Sequence, residues 1–322
     1  MLPLVIVNPA SASGATGRNW ARTASDFARH FGAFDVRFTE RSNDARLFAC
    51  EEAAHGRRFI IACGGDGTIN EVANGIVASG EDAELGVLPS GTGSDFRRTL
   101  QISNRAADAA SLLRDGQTKR IDVGRVTFTN ALDEKEIRHF VSVASAGISS
   151  RVVERSKKTS SDHLLGVNAK LLGGKVGFAV AAAQETVTFT QPEVVVTLDD
   201  EASPQRELQF RIVNLCVCNG RYFGGGMKIA PDAKLNDGLF DIIVIGAMNP
   251  PKILLNAFRI YAGAHLGMSE VLHTRAARIS LRPADSQTQI MLEIDGEVSG
   301  RLPATFEIVP NVLRVRTIVA RE

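Results

Sequence analysis

Short apolar runs rich in β-branched residues recur through the first third of the chain, and segments with apolar residues at helical spacing lie between them. Leu4-Val5-Ile6-Val7, Phe59-Ile60-Ile61-Ala62-Cys63 and Leu85-Gly86-Val87-Leu88-Pro89 read as buried strands, and Phe34 to Thr39 as a further one. Trp20, Ala24, Phe27, Ala28 and Phe31 mark a helix ending near Gly32, and Asp44 to His55 predicts the next. Ile69, Val72, Ala73, Ile76 and Val77 form the apolar stripe of a third, with Thr68 and Glu71 at capping-box spacing. Arg105 to Leu113, stopped by Gly116, predicts a fourth. This alternation predicts a mostly parallel sheet with helices on its faces, a three-layer α/β domain.

The texture changes after about Arg125. Val126 to Phe128, Phe140 to Val143, Val194 to Thr197, Phe210 to Cys218 and Leu239 to Ile245 all look like strands. So do Ile279 to Leu281, Ile290 to Ile294 and Phe306 to Val309, with turn clusters such as Asn236-Asp237-Gly238 between many of them. Helices interrupt around Leu164 to Gln184 and Lys252 to Ala264. The expectation is an α/β domain over 1–125 and a β-rich, sandwich-like domain over 126–322. A last strand, Val312 to Thr317, either returns to the first domain or completes the second.

Three loops rich in Gly, Ser and Thr follow strands, after Val7, Cys63 and Pro89. In a parallel sheet they gather at its C-terminal edge, where open α/β sheets bind ligands. The most informative is Gly64-Gly65-Asp66-Gly67, between a strand and a helix start. Backbone N–H groups and the positive end of the helix dipole meet there, which suits a phosphate. A tight turn alone needs fewer than three glycines around one acid, so a ligand site is the preferred reading.

Composition narrows the classes. Among 322 residues, 44% are hydrophobic and 23% charged, so a folded core is easily built. A net charge of +1 gives no global attraction to nucleic acid, and any attraction to a membrane must be local. Cys50, Cys63, Cys216 and Cys218 lack redox or zinc spacing and read as small hydrophobes in a reducing compartment. The six histidines show no ligand spacing either. The N-terminus lacks a basic leader and no apolar run is long enough to span a bilayer, so a cytoplasmic protein, at most peripheral at the inner membrane face, is expected. Arg155-Ser156-Lys157-Lys158, ahead of an apolar, Gly-rich stretch, is a candidate for transient membrane contact, although such runs are more often a solvated face.

There is no GxxxxGK[ST], no GxGxxG opening a helix, no HRD or DFG, no GxSxG and no HExxH. The loops that remain resemble those of the diacylglycerol kinase catalytic-domain family, in particular its small bacterial lipid kinases, with sphingosine kinases and, more distantly, NAD kinases as relatives. GGDGTINEVANG (64–75) is similar to the signature loop and helix, VNPASASGATGR (7–18) to the first nucleotide loop and LPSGTGSDFRR (88–98) to the third. Ile121-Asp122-Val123-Gly124 resembles the domain junction, CNGRYFGGGMKIAPDAKLNDGLFDIIVI (218–245) the second-domain signature, and Asp295-Gly296-Glu297 the late DGE. Ser94 stands where the family usually has Asn, Arg97 where Ala is common, and Val143 where a polar residue is expected.

The resemblance implies an ATP- and Mg²⁺-dependent kinase with its active site in an interdomain cleft, transferring the γ-phosphate to the hydroxyl of a diacylglycerol-like lipid. Asn8, Ser11, Thr39, Gly65, Asp66, Gly67, Thr68, Ile69, Asn70, Glu71 and Thr92 would line the ATP site. Asp66 would help hold the catalytic Mg²⁺, Glu297 would be the general base, and Asp122 would link the domains to the metal and its water network. Lys234, Asp237 and Leu239 would hold a structural Mg²⁺ through main-chain carbonyls and one carboxylate. On residues alone, Asp295-Gly296-Glu297 and Asp237-Gly238 are ordinary turn chemistry. A long-chain base or NAD as acceptor, a nucleotide- or lipid-binding regulator without turnover, and a homo-oligomer all stay open.

Overall fold

The structure, a computed structural model, describes residues 1–90, 94–159, 173–200 and 203–318. Thr92 and the start of the helix expected from Leu164 lie outside them. The first part of the chain runs β1 (Leu4–Val7), α1 (Ala15–Phe31), β2 (Asp35–Phe38), α2 (Asp44–Ala54), β3 (Phe59–Gly64), α3 (Asp66–Ser79), β4 (Glu84–Pro89), α4 (Asp95–Thr99) and α5 (Ala106–Asp115). β5 (Gln117–Thr129), β6 (Lys135–Phe140), β7 (Val143–Gly147), α6 (Ile148–Thr159), α7 (Gly173–Thr188), β8 (Glu193–Asp200) and β9 (Ser203–Cys218) follow. The chain continues through β10 (Phe240–Gly246), α8 (Pro250–Ala262), a short 3-10 helix (Ala264–Gly267), β11 (Val271–Ala276), β12 (Arg278–Pro283), β13 (Met291–Ile294) and β14 (Glu297–Thr317).

The strands β2, β1, β3 and β4 pair in that order, all parallel. The Val, Ile and Leu side chains of β1, β3 and β4 are buried because helices cover both faces, while the edge strand β2 is only partly covered. The ends of β1 and β3 are held level by Asn8 N–H donating to the Cys63 carbonyl at 3.0 Å. That brings the loops after Val7 and Cys63 to one edge of the sheet. α2 and α3 pack closely enough that a Cβ on Gly75 would lie 2.3 Å from the Arg46 carbonyl oxygen and 2.7 Å from Ala49 Cβ.

β14, 21 residues long, unites the two halves. Its far end pairs in parallel with β4 (Arg314 with Glu84, Val315 with Leu85), and Leu313 and Val315 are buried in the core of the α/β part. Its near end pairs with β12 and β13, and β5 runs antiparallel beside most of it. Pairing β9–β8–β12–β14–β13–β7 and back to β9 closes a six-stranded ring, a sandwich whose two faces share the long strands β9 and β14. Val126, Phe140, Phe240, Ile279 and Phe306 are buried in its core.

The pattern of apolar positions locates most of these elements, and the differences have physical causes. The capping box does not form: α3 begins at Asp66 with Gly65 as its N-cap, two residues before Thr68. The Glu71 carboxylate instead accepts from the Asn43 and Ala45 N–H groups beside α2, at 3.0 and 3.2 Å. The single strand expected over Phe140 to Val143 is two, β6 and β7, because the buried Asp295 carboxylate captures the Val141, Ser142 and Val143 N–H groups between them. Pro310-Asn311 does not end a strand but makes an irregularity inside β14, where the register against β5 shifts.

Candidate active site

The sheet edge is assembled from the three glycine loops. Asn8 Nδ2 donates to Thr68 Oγ1 at 3.1 Å, tying the first loop to the first turn of α3. Thr16 Oγ1 meets the Ser90 hydroxyl at 2.5 Å and donates to the Ser11 carbonyl at 3.1 Å, tying the first loop to the third. Thr39 is buried at the end of β2, its N–H donating to the Val7 carbonyl at 2.9 Å. Ala12 and Ser13 hold φ of 53° and 55° ahead of Gly14, a strained arrangement for residues with side chains. A Cβ added to Gly65 would meet nothing within 4 Å, so the N-terminus of α3 faces open space. The Ile69, Asn70 and Glu71 side chains are committed elsewhere: to the core, to Asp295 and to the start of α2.

Asp66, at the first position of α3, reaches across to the start of α4. It accepts from Ser94 Oγ at 3.0 Å, from Asp95 N–H at 2.9 Å and from Phe96 N–H at 3.1 Å. Burial raises its pKa above the ordinary aspartate value, and these donors only partly oppose that. Ser94 itself N-caps α4 through Arg97 N–H, so the departure from Asn keeps a capping oxygen. Asp95 lies alongside. Burial first, then the neighbouring Asp66 charge, push it up to about 7. It accepts from Arg98 at 2.7 Å and from Gly225 N–H at 2.8 Å. Gly224, Gly225 and Gly226 have φ of 58°, 84° and 118°, a left-handed run that favours glycine, and this loop of the second half seats on α4 of the first.

Glu297 comes from the other side. Ile294 and Glu297 pair across a two-residue turn in which Asp295 and Gly296 have φ of 46° and 87°, the left-handed geometry that tight hairpins use. Asp295 is the anchor of this turn. Besides the three N–H groups between β6 and β7, its carboxylate accepts from Asn70 Nδ2 at 2.7 Å, and burial pushes it up to about 6. Asn74 adds a second strut, exchanging hydrogen bonds with the His139 backbone at 3.0 and 3.1 Å. So α3 carries the glycine loop at its start and docks the Glu297 hairpin on its flank. The Glu297 carboxylate ends over Gly67, 3.2 Å from where a Cβ there would lie.

Asp66 and Glu297 therefore both stand at the first turn of α3, one turned to α4 and the other over Gly67. Asp122 is placed differently. It is fully buried, and accepts from Gly238 N–H at 2.7 Å and Asn311 N–H at 2.8 Å, joining β5 to the 234–239 loop and to the irregularity in β14. In that loop Asp237 Oδ2 pairs with Arg275 at 2.6 Å, while Oδ1 takes only the longer Leu239 N–H bond at 3.3 Å. Among the described residues no three His, Cys, Asp or Glu side chains cluster as a metal site, so a cation there would depend on the Lys234 and Leu239 carbonyls with Asp237. That all-oxygen set suits a hard cation, and Arg275 already compensates part of its charge.

Beside Asp66, Asp95 and Asp295 opens a cavity of about 880 Å³. Its depth is apolar, lined by Ile148, Val152, Val213, Met248, Ile253 and Ile260 among others. Neither this cavity nor the buried Asp95 and Asp295 was singled out by sequence reasoning. Both acids sit inside quoted motifs, but nothing in their spacing shows that they are buried.

Fold and site together define a two-domain phosphotransferase, its glycine loops and its acids converging between the domains. Residues 3–126 match the diacylglycerol kinase catalytic domain, and residues 142–317 match the YegS C-terminal NAD kinase beta sandwich-like domain. A diacylglycerol kinase of Bacillus subtilis is 28% identical over 94% of this chain and 91% of its own length. One of Staphylococcus epidermidis is 30% identical over 83% of this chain and 77% of its own. A crystal structure of a diacylglycerol kinase from Bacillus anthracis superimposes with a TM-score of 0.68 over 98% of this chain and 96% of that one, at 23% identity, and bears on the fold. The chain belongs to the diacylglycerol kinase catalytic-domain family and is a lipid kinase.

Proposed function

We propose that this lipid kinase transfers the γ-phosphate of ATP, with Mg²⁺, to the hydroxyl of a diacylglycerol-like lipid taken from a membrane surface. The observation that carries this is the apolar cavity beside Asp66 and Asp95. It offers acyl chains a water-poor space while their head group lies among carboxylates, and it offers little to the polar body of NAD.

The α3 N-terminus, the Asn8–Thr68 pair and the Ser11 loop receive the phosphates, where unpaired backbone donors favour anionic groups. Asp66 and Asp95, two recessed carboxylates side by side, are the residues that would hold a catalytic Mg²⁺, and Lys234, Asp237 and Leu239 a structural one. When bound, such an ion would supply charge neutralisation at the phosphates. Glu297 takes the proton of the acceptor hydroxyl as that oxygen forms its bond to the γ-phosphorus, and the bond to the bridging oxygen breaks to leave ADP. Asn70, Asn74 and Asp295 position Glu297 over Gly67. Asp122 positions the 234–239 loop against β5.

The test is transfer of labelled γ-phosphate from Mg-ATP into dispersed diacylglycerol, a long-chain base, a total lipid extract and NAD. Label in diacylglycerol is the expected result. Label in the long-chain base or NAD alone reassigns the acceptor, and ATP binding without any labelled product leaves a regulator instead.

A further inference from the structure

The helix α8 carries an apolar face that no other described element covers. Of the thirteen large hydrophobic side chains exposed among the described residues, four belong to these thirteen positions: Leu254 (45%), Leu255 (72%), Phe258 (68%) and Tyr261 (53%). Pro251, Leu255, Phe258 and Ala262, spaced by four, three and four, stack along one side of the helix. The opposite side, through Ile253, Ala257 and Ile260, lines the apolar cavity. Leu254 and Tyr261 belong to both surfaces, since they line the cavity and stand about half exposed. An unbroken apolar path therefore leads from the outside of α8, over its rim, into the space beside the carboxylates. The helix itself carries basic residues and no acid: Lys252, which pairs with Glu270 of the neighbouring loop, and Arg259.

We propose that α8 is the surface by which this kinase docks on an anionic bilayer, lying along the interface with Leu255 and Phe258 among the acyl chains, so that a lipid enters the cavity past Leu254 and Tyr261. This deepens the lipid-kinase reading and rests on it for the direction of lipid travel. An exposed apolar stripe with basic residues at its edge is the composition that holds amphipathic helices at membrane interfaces. A fully water-soluble acceptor would need no such face.

The double variant Leu255→Ser/Phe258→Ser tests this, because both side chains are exposed and their loss leaves the core intact. Sedimentation with vesicles of phosphatidylglycerol and phosphatidylcholine reads docking directly, without turnover. Phosphorylation of a long-chain diacylglycerol in those vesicles is compared with that of a short-chain, water-soluble diacylglycerol. The expected result is a loss of at least about tenfold in vesicle binding, a similar loss of kcat/KM in vesicles, and activity on the soluble acceptor within about twofold of wild type. Vesicle binding unchanged in the variant would overturn the proposal, as would a wild-type dimer that the variant dissociates while vesicle binding persists. Wild type that binds vesicles through α8 but labels no acceptor would leave the docking surface standing and remove the lipid-kinase reading.

Discussion

Asp295 concentrates the chemistry of the interdomain contact in one side chain. Its carboxylate accepts three backbone N–H groups and the Asn70 amide, yet burial still pushes it up to about 6, above the 3.8 of an ordinary aspartate. The unfolded chain releases this proton near pH 4 and the folded chain holds it until near pH 6. Stability therefore falls as pH rises through that window, at up to about 1.4 kcal/mol per pH unit for one proton, and the loss is complete above it. Asp295→Asn should flatten this part of the curve, read as Tm from pH 4 to pH 7; an unaltered slope contradicts the assignment. Asp95 bears on the proposed catalytic metal site. Mg²⁺ should raise the Tm of the wild-type protein by roughly 2–4 °C and that of Asp95→Asn by much less, since the variant loses one of the two acids that would hold the ion. An equal rise in both would place the stabilising ion elsewhere. Nothing in the sequence pattern ranks these acids. Asp295 and Asp237 both occur as Asp-Gly turns, but one is sealed under two domains and the other pairs with Arg275 near the surface.

At the scale of elements, α3 does most of the positioning, and its fit against α2 depends on a missing side chain. Gly75→Ala places a methyl group against the Arg46 carbonyl and Ala49, and should cost about 1–3 kcal/mol in urea unfolding, where an alanine in an open helix would be neutral or better. Most helices and strands of the α/β part were legible because one face of each is buried and the apolar spacing records that face. α1, predicted to end near Gly32, ends at Phe31 with Gly32 as its C-cap at φ 111°. α4 was not legible, because its five residues are organised by the distant Asp66 carboxylate rather than by their own pattern. β14 was read as separate pieces for the converse reason: Pro310 and Asn311 are local break signals, and the ladder with β5 carries the strand past them. The Thr68–Glu71 spacing suggested a local cap that tertiary contacts override.

The whole molecule joins a glycine-rich sheet edge, the proposed phosphate site, to an apolar cavity through strands and loops that pass between its halves. Long motifs quoted from the sequence announced the edge and the Glu297 turn. The cavity could not be announced, since its walls come from α6, α7, α8, β9 and β10, which are far apart in the chain. Filling it offers a test of its role. Ala183→Phe should lower kcat/KM for long-chain diacylglycerol by roughly tenfold or more while leaving a short-chain acceptor nearly unaffected, because only the longer chains need the depth. Equal losses on both acceptors would show damage to the site rather than to the cavity. The proposed mechanism turns on Glu297, held over Gly67 at the start of α3, taking the proton of a lipid hydroxyl during phosphoryl transfer. The most direct measurement is single-turnover transfer of labelled γ-phosphate to diacylglycerol by wild type and Glu297→Gln, with ATP binding measured on both. A fall of about 10²- to 10⁴-fold in the transfer step with ATP binding retained is expected. Transfer by Glu297→Gln at the wild-type rate would contradict it.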